Sequence, residues 1–134
     1  MKKTFVILTA LIASFTLFSC ATVKEIPEDK TPAQILQLGH NASAMGSYKG
    51  AELCFKTAIE RFGATDPTVY VEATFELGHI YLKQKKYDEA LGCFNAVLDM
   101  FEEIPYGLDP SIKKLCQIDL AKIPDNIKNS TNAQ

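Results

Sequence analysis

The segment from Leu38 to Phe62 is written again from Leu77 to Phe101, at an offset of 39 residues and without a gap. Leu38-Gly39-His40 returns as Leu77-Gly78-His79, Tyr48 as Tyr87, Ala51 as Ala90, Cys54-Phe55 as Cys93-Phe94, and Phe62 as Phe101. A period of this length marks stacked units, none of which buries its apolar face alone. Glycine within a helix costs about 1 kcal/mol relative to alanine. Gly39 and Gly78, lying inside helical patterns, therefore point to the close approach of another backbone, with Ala51 and Ala90 as the small residues that admit it. Phe55, Phe62, Phe94 and Phe101 supply apolar volume between helices, and Tyr48 and Tyr87 stand where a second helix begins. Each copy reads as a helical hairpin, which makes the fold class all-α.

The repeated residues resemble the tetratricopeptide repeat family. One copy presents Ile35, Leu38-Gly39, Ala42, Gly46, Tyr48, Ala51, Phe55 and Ala58; the other presents Thr74, Leu77-Gly78, Tyr81, Tyr87, Ala90, Phe94 and Val97. Ile35 and Thr74 replace the usual tryptophan, Ala42 replaces a tyrosine, and the period exceeds the family's roughly 34 residues. The extra residues fall after each second helix, around 63–68 and 103–108, and lengthen either the turns or the second helices. The resemblance implies an α-solenoid of two tandem hairpins, with repeats at about 32–65 and 71–104.

Helix starts agree with this division. Thr31-Pro32-Ala33-Gln34 combines an N-cap, a proline at the first helical position and a capping-box glutamine, and Asp66-Pro67 and Asp109-Pro110 repeat the cap and proline. Five helices are predicted, at about 32–45, 48–62, 67–84, 87–103 and 110–123. The last carries a wide apolar stripe through Ile112, Leu115, Cys116, Ile118, Leu120 and Ile123, as suits a helix capping the open end of a stack. The repeat domain thus spans 32–123, and the polar residues 124–134 are predicted to form a disordered tail.

Residues 1–19 are read apart from the fold, as a signal peptide. Lys2 and Lys3 precede an apolar run from Phe5 to Phe18, and Leu17-Phe18-Ser19-Cys20 follows at once. This resembles a bacterial lipoprotein signal, which implies that Cys20 is lipidated and becomes the first mature residue. An ordinary secretory signal cut nearby and an uncleaved anchor are the other readings. Acyl chains contribute about 0.8 kcal/mol per buried CH₂, so several anchor a protein on a membrane without crossing it. Residues 20–31 then form the lipidated cysteine and a polar tether, whose residues 21–31 reach roughly 35 Å when extended.

The whole chain carries a formal charge of −2, and loss of Lys2 and Lys3 with the signal makes it −4. Such a balance argues against nucleic acid, which is bound through clustered Lys and Arg. With Cys20 assigned to lipid, Cys54, Cys93 and Cys116 remain, an odd number that cannot all pair internally. Cys54 and Cys93 sit at equivalent places on helices whose axes should lie about 8–10 Å apart, so a bridge needs unusual crowding, and buried free thiols are the simpler reading. No C-x-x-C, H-x-x-x-H or carboxylate cluster completes a metal site with His40 or His79. Ser43, Ser47 and the histidines lack a third catalytic partner, and no phosphate loop is present. Neither enzymatic activity nor a cofactor is implied.

In the resembled family the first helix of each hairpin lines a concave groove. The matching positions are Leu36, His40, Ser43 and Ala44, then Phe75, His79, Leu82 and Lys83. Leu36, Phe75 and Leu82 suit an apolar or amphipathic partner segment, although core packing is an equal reading for Leu36 and Phe75. Only Lys83 could serve a carboxylate clamp, so that ligand class is not expected. Because two hairpins fall short of the three units a stack usually needs, the outer side of the first, around Ile35, Leu36 and Ala42, is a candidate association site for a partner or for a homo-oligomer. The expected function is a membrane-anchored interaction module, an adaptor or scaffold in the bacterial cell envelope, lipid-anchored on the periplasmic or outer-membrane face. Its partner would be an envelope protein or peptide segment. Alternatives are an accessory ligand-binding component of a solute transport system and a surface adhesin.

Overall fold

A computed structural model describes residues 25–131; the signal segment and Cys20 lie outside the described residues. Among the described residues six helices follow one another: α1 (Pro32–Ala44), α2 (Tyr48–Phe62), α3 (Pro67–Lys83), α4 (Tyr87–Glu103), α5 (Pro110–Leu120) and α6 (Asp125–Thr131). Side-chain oxygens set three of their starts. Thr31 accepts from the Gln34 amide and the Gln34 side chain accepts from the Thr31 amide, closing the capping box. Asp66 accepts from the amides of Thr68 and Val69, and Asp109 from that of Ser111. Each satisfies amides that a helix start leaves without an intrahelical partner.

The helices stack in sequence order, α1 on α2, α2 on α3 and α3 on α4. The first helices α1, α3 and α5 form an inner row, since α3 also touches α1 and α5. The interior is built twice from one recipe: Phe55 with Ala51 and Ala58, and Phe94 with Ala90 and Val97, all fully buried. The sequence reading of the glycines needs one correction. What approaches is a phenyl ring, not a backbone: a Cβ on Gly39 would meet Phe55 Cε1 at 2.6 Å, and one on Gly78 would meet Phe94 Cε1 at 2.8 Å and Cys93 Cβ at 2.9 Å. Polar contacts add to the α2–α3 seam, where Tyr81 donates to Glu52 at 3.0 Å and Lys56 donates to the same carboxylate.

The longer period is absorbed in an unexpected place. The segment joining α2 to α3 is short, and α3 has 17 residues where α1 has 13. An added first turn, Pro67 to Tyr70, therefore takes up the length, with Val69 buried.

Three further expectations are corrected. The outer side of the first hairpin is not an apolar face, because Ile35, Leu36 and Ala42 are all buried. Exposed Gln34, Gln37 and Asn41 stand there instead, and Gln37 donates to Asn41. The polar tether is not free along its length: Ile26 is only 4% exposed and belongs to the core cluster. The tail is not disordered from 124 onward, since α6 packs on α4. Ile127, an apolar residue in a polar run, packs against the core. One apolar side chain, buried at Ile26 and partly buried at Ile127, thus ties each flanking segment to the core.

The two hairpin turns are superimposable in logic but not in residue. Gly46 takes φ 74° and donates to Ser43, while Ser47 donates back to Ala42. Lys85 takes φ 60° at the equivalent place, with matching bonds from Lys85 to Leu82 and from Lys86 to Tyr81. A left-handed conformation costs a residue with a Cβ about 1–2 kcal/mol. Lys85→Gly is therefore expected to stabilise the domain by about 0.5–1 kcal/mol in urea unfolding, after the added freedom of glycine in the unfolded chain. An unchanged or lowered midpoint would mean that the turn carries no such strain.

Candidate functional site

The inner row of helices leaves a furrow of about 470 Å³. Its walls are His40, Ser43 and Ala44 from α1, Phe75, Glu76, His79 and Lys83 from α3, and Leu115, Ile118, Asp119 and Lys122 from α5 and the turn after it. Of the groove residues read from the sequence, the structure places His40, Ser43, Ala44, Phe75, His79 and Lys83 here. Leu36 and Leu82 do not line it: Leu36 is buried, and Leu82 packs against the core.

The third wall escaped sequence reasoning. A single stripe was expected to bury Leu115 and Ile118 with Cys116 and Ile123. Cys116 and Ile123 are buried, yet Leu115 and Ile118 are each 46% exposed and border the furrow. Thus α5 acts less as a lid than as the inner helix of a further half unit. The available signal was Asp119, an acid in the middle of the supposed apolar stripe.

Asp119 is 4% exposed, and both of its oxygens are engaged. His79 Nδ1 lies 2.6 Å from Oδ2, and Lys122 Nζ 2.6 Å from Oδ1. An ionised carboxylate only accepts, so Nδ1 carries the proton and the ring is held in one orientation. Phe75 stacks on the same ring, with centroids 6.1 Å apart, and both rings line the furrow. Burial by itself would push the Asp119 carboxyl up. The hydrogen bonds and charges of Lys122 and His79 outweigh it and hold the carboxyl below its ordinary value.

The other repeated histidine has different partners. His40 Nε2 lies 3.3 Å from Glu72, Nδ1 lies 3.9 Å from Glu76, and the ring meets Phe55 edge-on at 5.5 Å. Equivalent positions therefore carry a histidine braced within the furrow and one at its acidic rim. Among the described residues no group of His, Cys, Asp or Glu is arranged to hold a metal ion. Cys54, Cys93 and Cys116 are free thiols. Burial pushes Cys93 up to about 11 and Cys116 to about 12, so neither is a thiolate at neutral pH. Cys116 donates to the Phe94 carbonyl, a structural bond between α5 and α4.

A row of inner helices backed by outer ones, with side chains presented along one furrow, defines a helical-repeat scaffold. Residues 71–104 match the family model of the tetratricopeptide repeat, so the chain carries such a repeat across its second hairpin. It is similar to an uncharacterised protein of Treponema pallidum, at 29% identity over 126 residues that make up 91% of this chain and 50% of that protein. It is also similar to response regulator aspartate phosphatase J of Bacillus subtilis, at 40% identity over 63 residues, or 47% of this chain and 17% of the phosphatase. The chain spans half or less of the length of these curated relatives. No solved structure matches it.

Because the folded Asp119 carboxyl lies below its unfolded value of about 3.9, its contribution is fully present above that pH and is lost as pH falls through the folded value. Asp119→Asn should lower stability at pH 7 by about 2 kcal/mol, the scale of hydrogen bonds to a charged group. The gap between variant and wild type should hold from pH 7 to about pH 4 and narrow as urea unfolding is repeated at lower pH. A gap independent of pH would remove the carboxylate from the account of α5 docking.

Proposed function

We propose that this protein is a membrane-anchored adaptor of the bacterial cell envelope, without enzymatic activity, that holds a partner segment in the furrow between α1, α3 and α5. The repeat architecture is a protein-interaction architecture. One observation carries the choice of site: Leu115 and Ile118 stand half exposed beside Phe75, on a helix that could have buried them. Apolar side chains left at a furrow that also offers His79 and Lys83 suit an amphipathic segment, whose apolar side chains meet the first group and whose polar groups meet the second.

The envelope location rests on the sequence before the fold. The Leu17-Phe18-Ser19-Cys20 run after a basic, apolar start supports lipidation at Cys20. No helix among the described residues is long and apolar enough to cross a membrane. A lipid anchor at Cys20 is the means we assign for membrane attachment, on the strength of that run.

The test is a pull-down from detergent-solubilised membranes with three forms of the full chain. Wild type should recover a partner from the membrane fraction. Cys20→Ala should leave the membranes and lose incorporation of labelled fatty acid. Leu115→Glu/Ile118→Glu should stay on the membrane, keep its melting temperature within a few degrees, and lose the partner at least tenfold. Undiminished recovery by the double variant would place the partner elsewhere on the molecule, and equal fatty-acid labelling of Cys20→Ala would refute the anchor.

A further inference from the structure

The chain enters the fold through a clasp. Arg61, in the last turn of α2, donates through Nη1 to the Pro27 carbonyl at 2.8 Å and through Nη2 to the Ile26 carbonyl at 2.9 Å. The Ile26 side chain is buried in the core beside it. A planar guanidinium holding two successive carbonyls fixes direction as well as position, since its donors are set in a rigid fork. The apolar anchor resists removal by a separate mechanism, the re-exposure of its side chain to water. After the clasp the backbone turns, with Lys30 donating to Pro27, and reaches the α1 cap at Thr31.

We infer that this clasp is a membrane-spacing device: it shortens the leash between lipidated Cys20 and the body, and holds the end of the stack that carries Ile26 and Arg61 against the bilayer surface. The inference rests on the lipidation proposed for Cys20. Six residue steps separate Cys20 from Ile26 and reach at most about 20 Å, whereas the twelve steps to Pro32 would reach about 40 Å if the strap were free. The clasp therefore halves the distance to which the body can stray. The surface facing the lipid is not an adsorbing one. Glu25, Glu28 and Asp29 are set against Lys24, Lys30 and Arg61, whose charge persists when it donates to neutral carbonyls, so acids and bases balance along this stretch. A balanced stretch gains no net attraction from anionic headgroups, so proximity comes from the leash and not from charge.

Neutron reflectometry of the full lipidated chain on a supported phosphatidylcholine–phosphatidylglycerol bilayer reads this directly. Wild type should form a protein layer whose inner edge lies within about 20 Å of the headgroups. Arg61→Ala and Ile26→Ser break the clasp from its two sides, and each should broaden the layer outward by up to about 20 Å. Insertion of a Gly-Ser spacer after Val23 should give the same outward shift with the clasp intact, and melting curves identify any variant that has lost its fold. Identical layers for wild type and both folded clasp variants, with the spacer form displaced, would overturn the inference while leaving the anchor standing. If intact mass shows no acyl chains on the wild type and the chain fails to bind the bilayer, the lipidation reading falls and takes the spacing device with it.

Discussion

A phenyl ring seated on a glycine is the contact on which the rest of this molecule depends, and it occurs twice. Phe55 lies over Gly39 and Phe94 over Gly78, each closer than any side chain at the glycine would allow. The seat brings the two helices of a hairpin together, with Ala51 or Ala90 one turn away filling what remains. Glycine in a helix carries a cost near 1 kcal/mol, and the offset is a large aromatic surface wholly removed from water. Every other feature is layered on these hairpins. The inner row exists because the hairpins stack, and the furrow runs along that row.

The furrow combines what the repeat repeats with what it does not. His40 and His79 occupy one position in two copies, but their neighbours differ. Glu72 and Glu76 come from the next inner helix for His40, and Asp119 from the next inner helix for His79. The same relation, one inner helix answering the previous one, thus gives an acidic rim in one place and a buried carboxylate bonded to the ring in the other. Asp119 and Lys122 are what make α5 part of the site. With Leu115 and Ile118 turned to the furrow, α5 is attached by Cys116, Ile123 and the Asp119 bond to His79.

Much of the architecture was legible in the sequence because its signals are local. The capping box at Thr31, the Asp-Pro starts at 66 and 109 and the recurrent Leu-Gly, Ala and Phe specify where helices begin and which faces meet. Features that depend on the third dimension were not legible. Periodicity cannot tell a ring from a backbone as the neighbour of Gly78, nor divide the α5 stripe between core and furrow. Ile26 and Ile127 each looked like a single apolar residue in a polar stretch, and burial of one residue is decided by where the chain passes. Lys85 hides a turn that Gly46 announces, since lysine at a left-handed position leaves no compositional trace.

The central claim, that the ring-on-glycine seat organises each hairpin, is tested most directly by a double-mutant cycle on Gly78 and Phe94. Gly78→Ala gains helix propensity but forces the added methyl into Phe94 and Cys93, and overpacking of this kind costs about 1–3 kcal/mol. Phe94→Leu trims the ring and leaves a gap. If the two groups share one space, Phe94→Leu should cost at least about 1 kcal/mol less in the alanine background than in the wild type, within the range seen for residues in contact. Strict additivity of the two substitutions in urea unfolding would contradict the account.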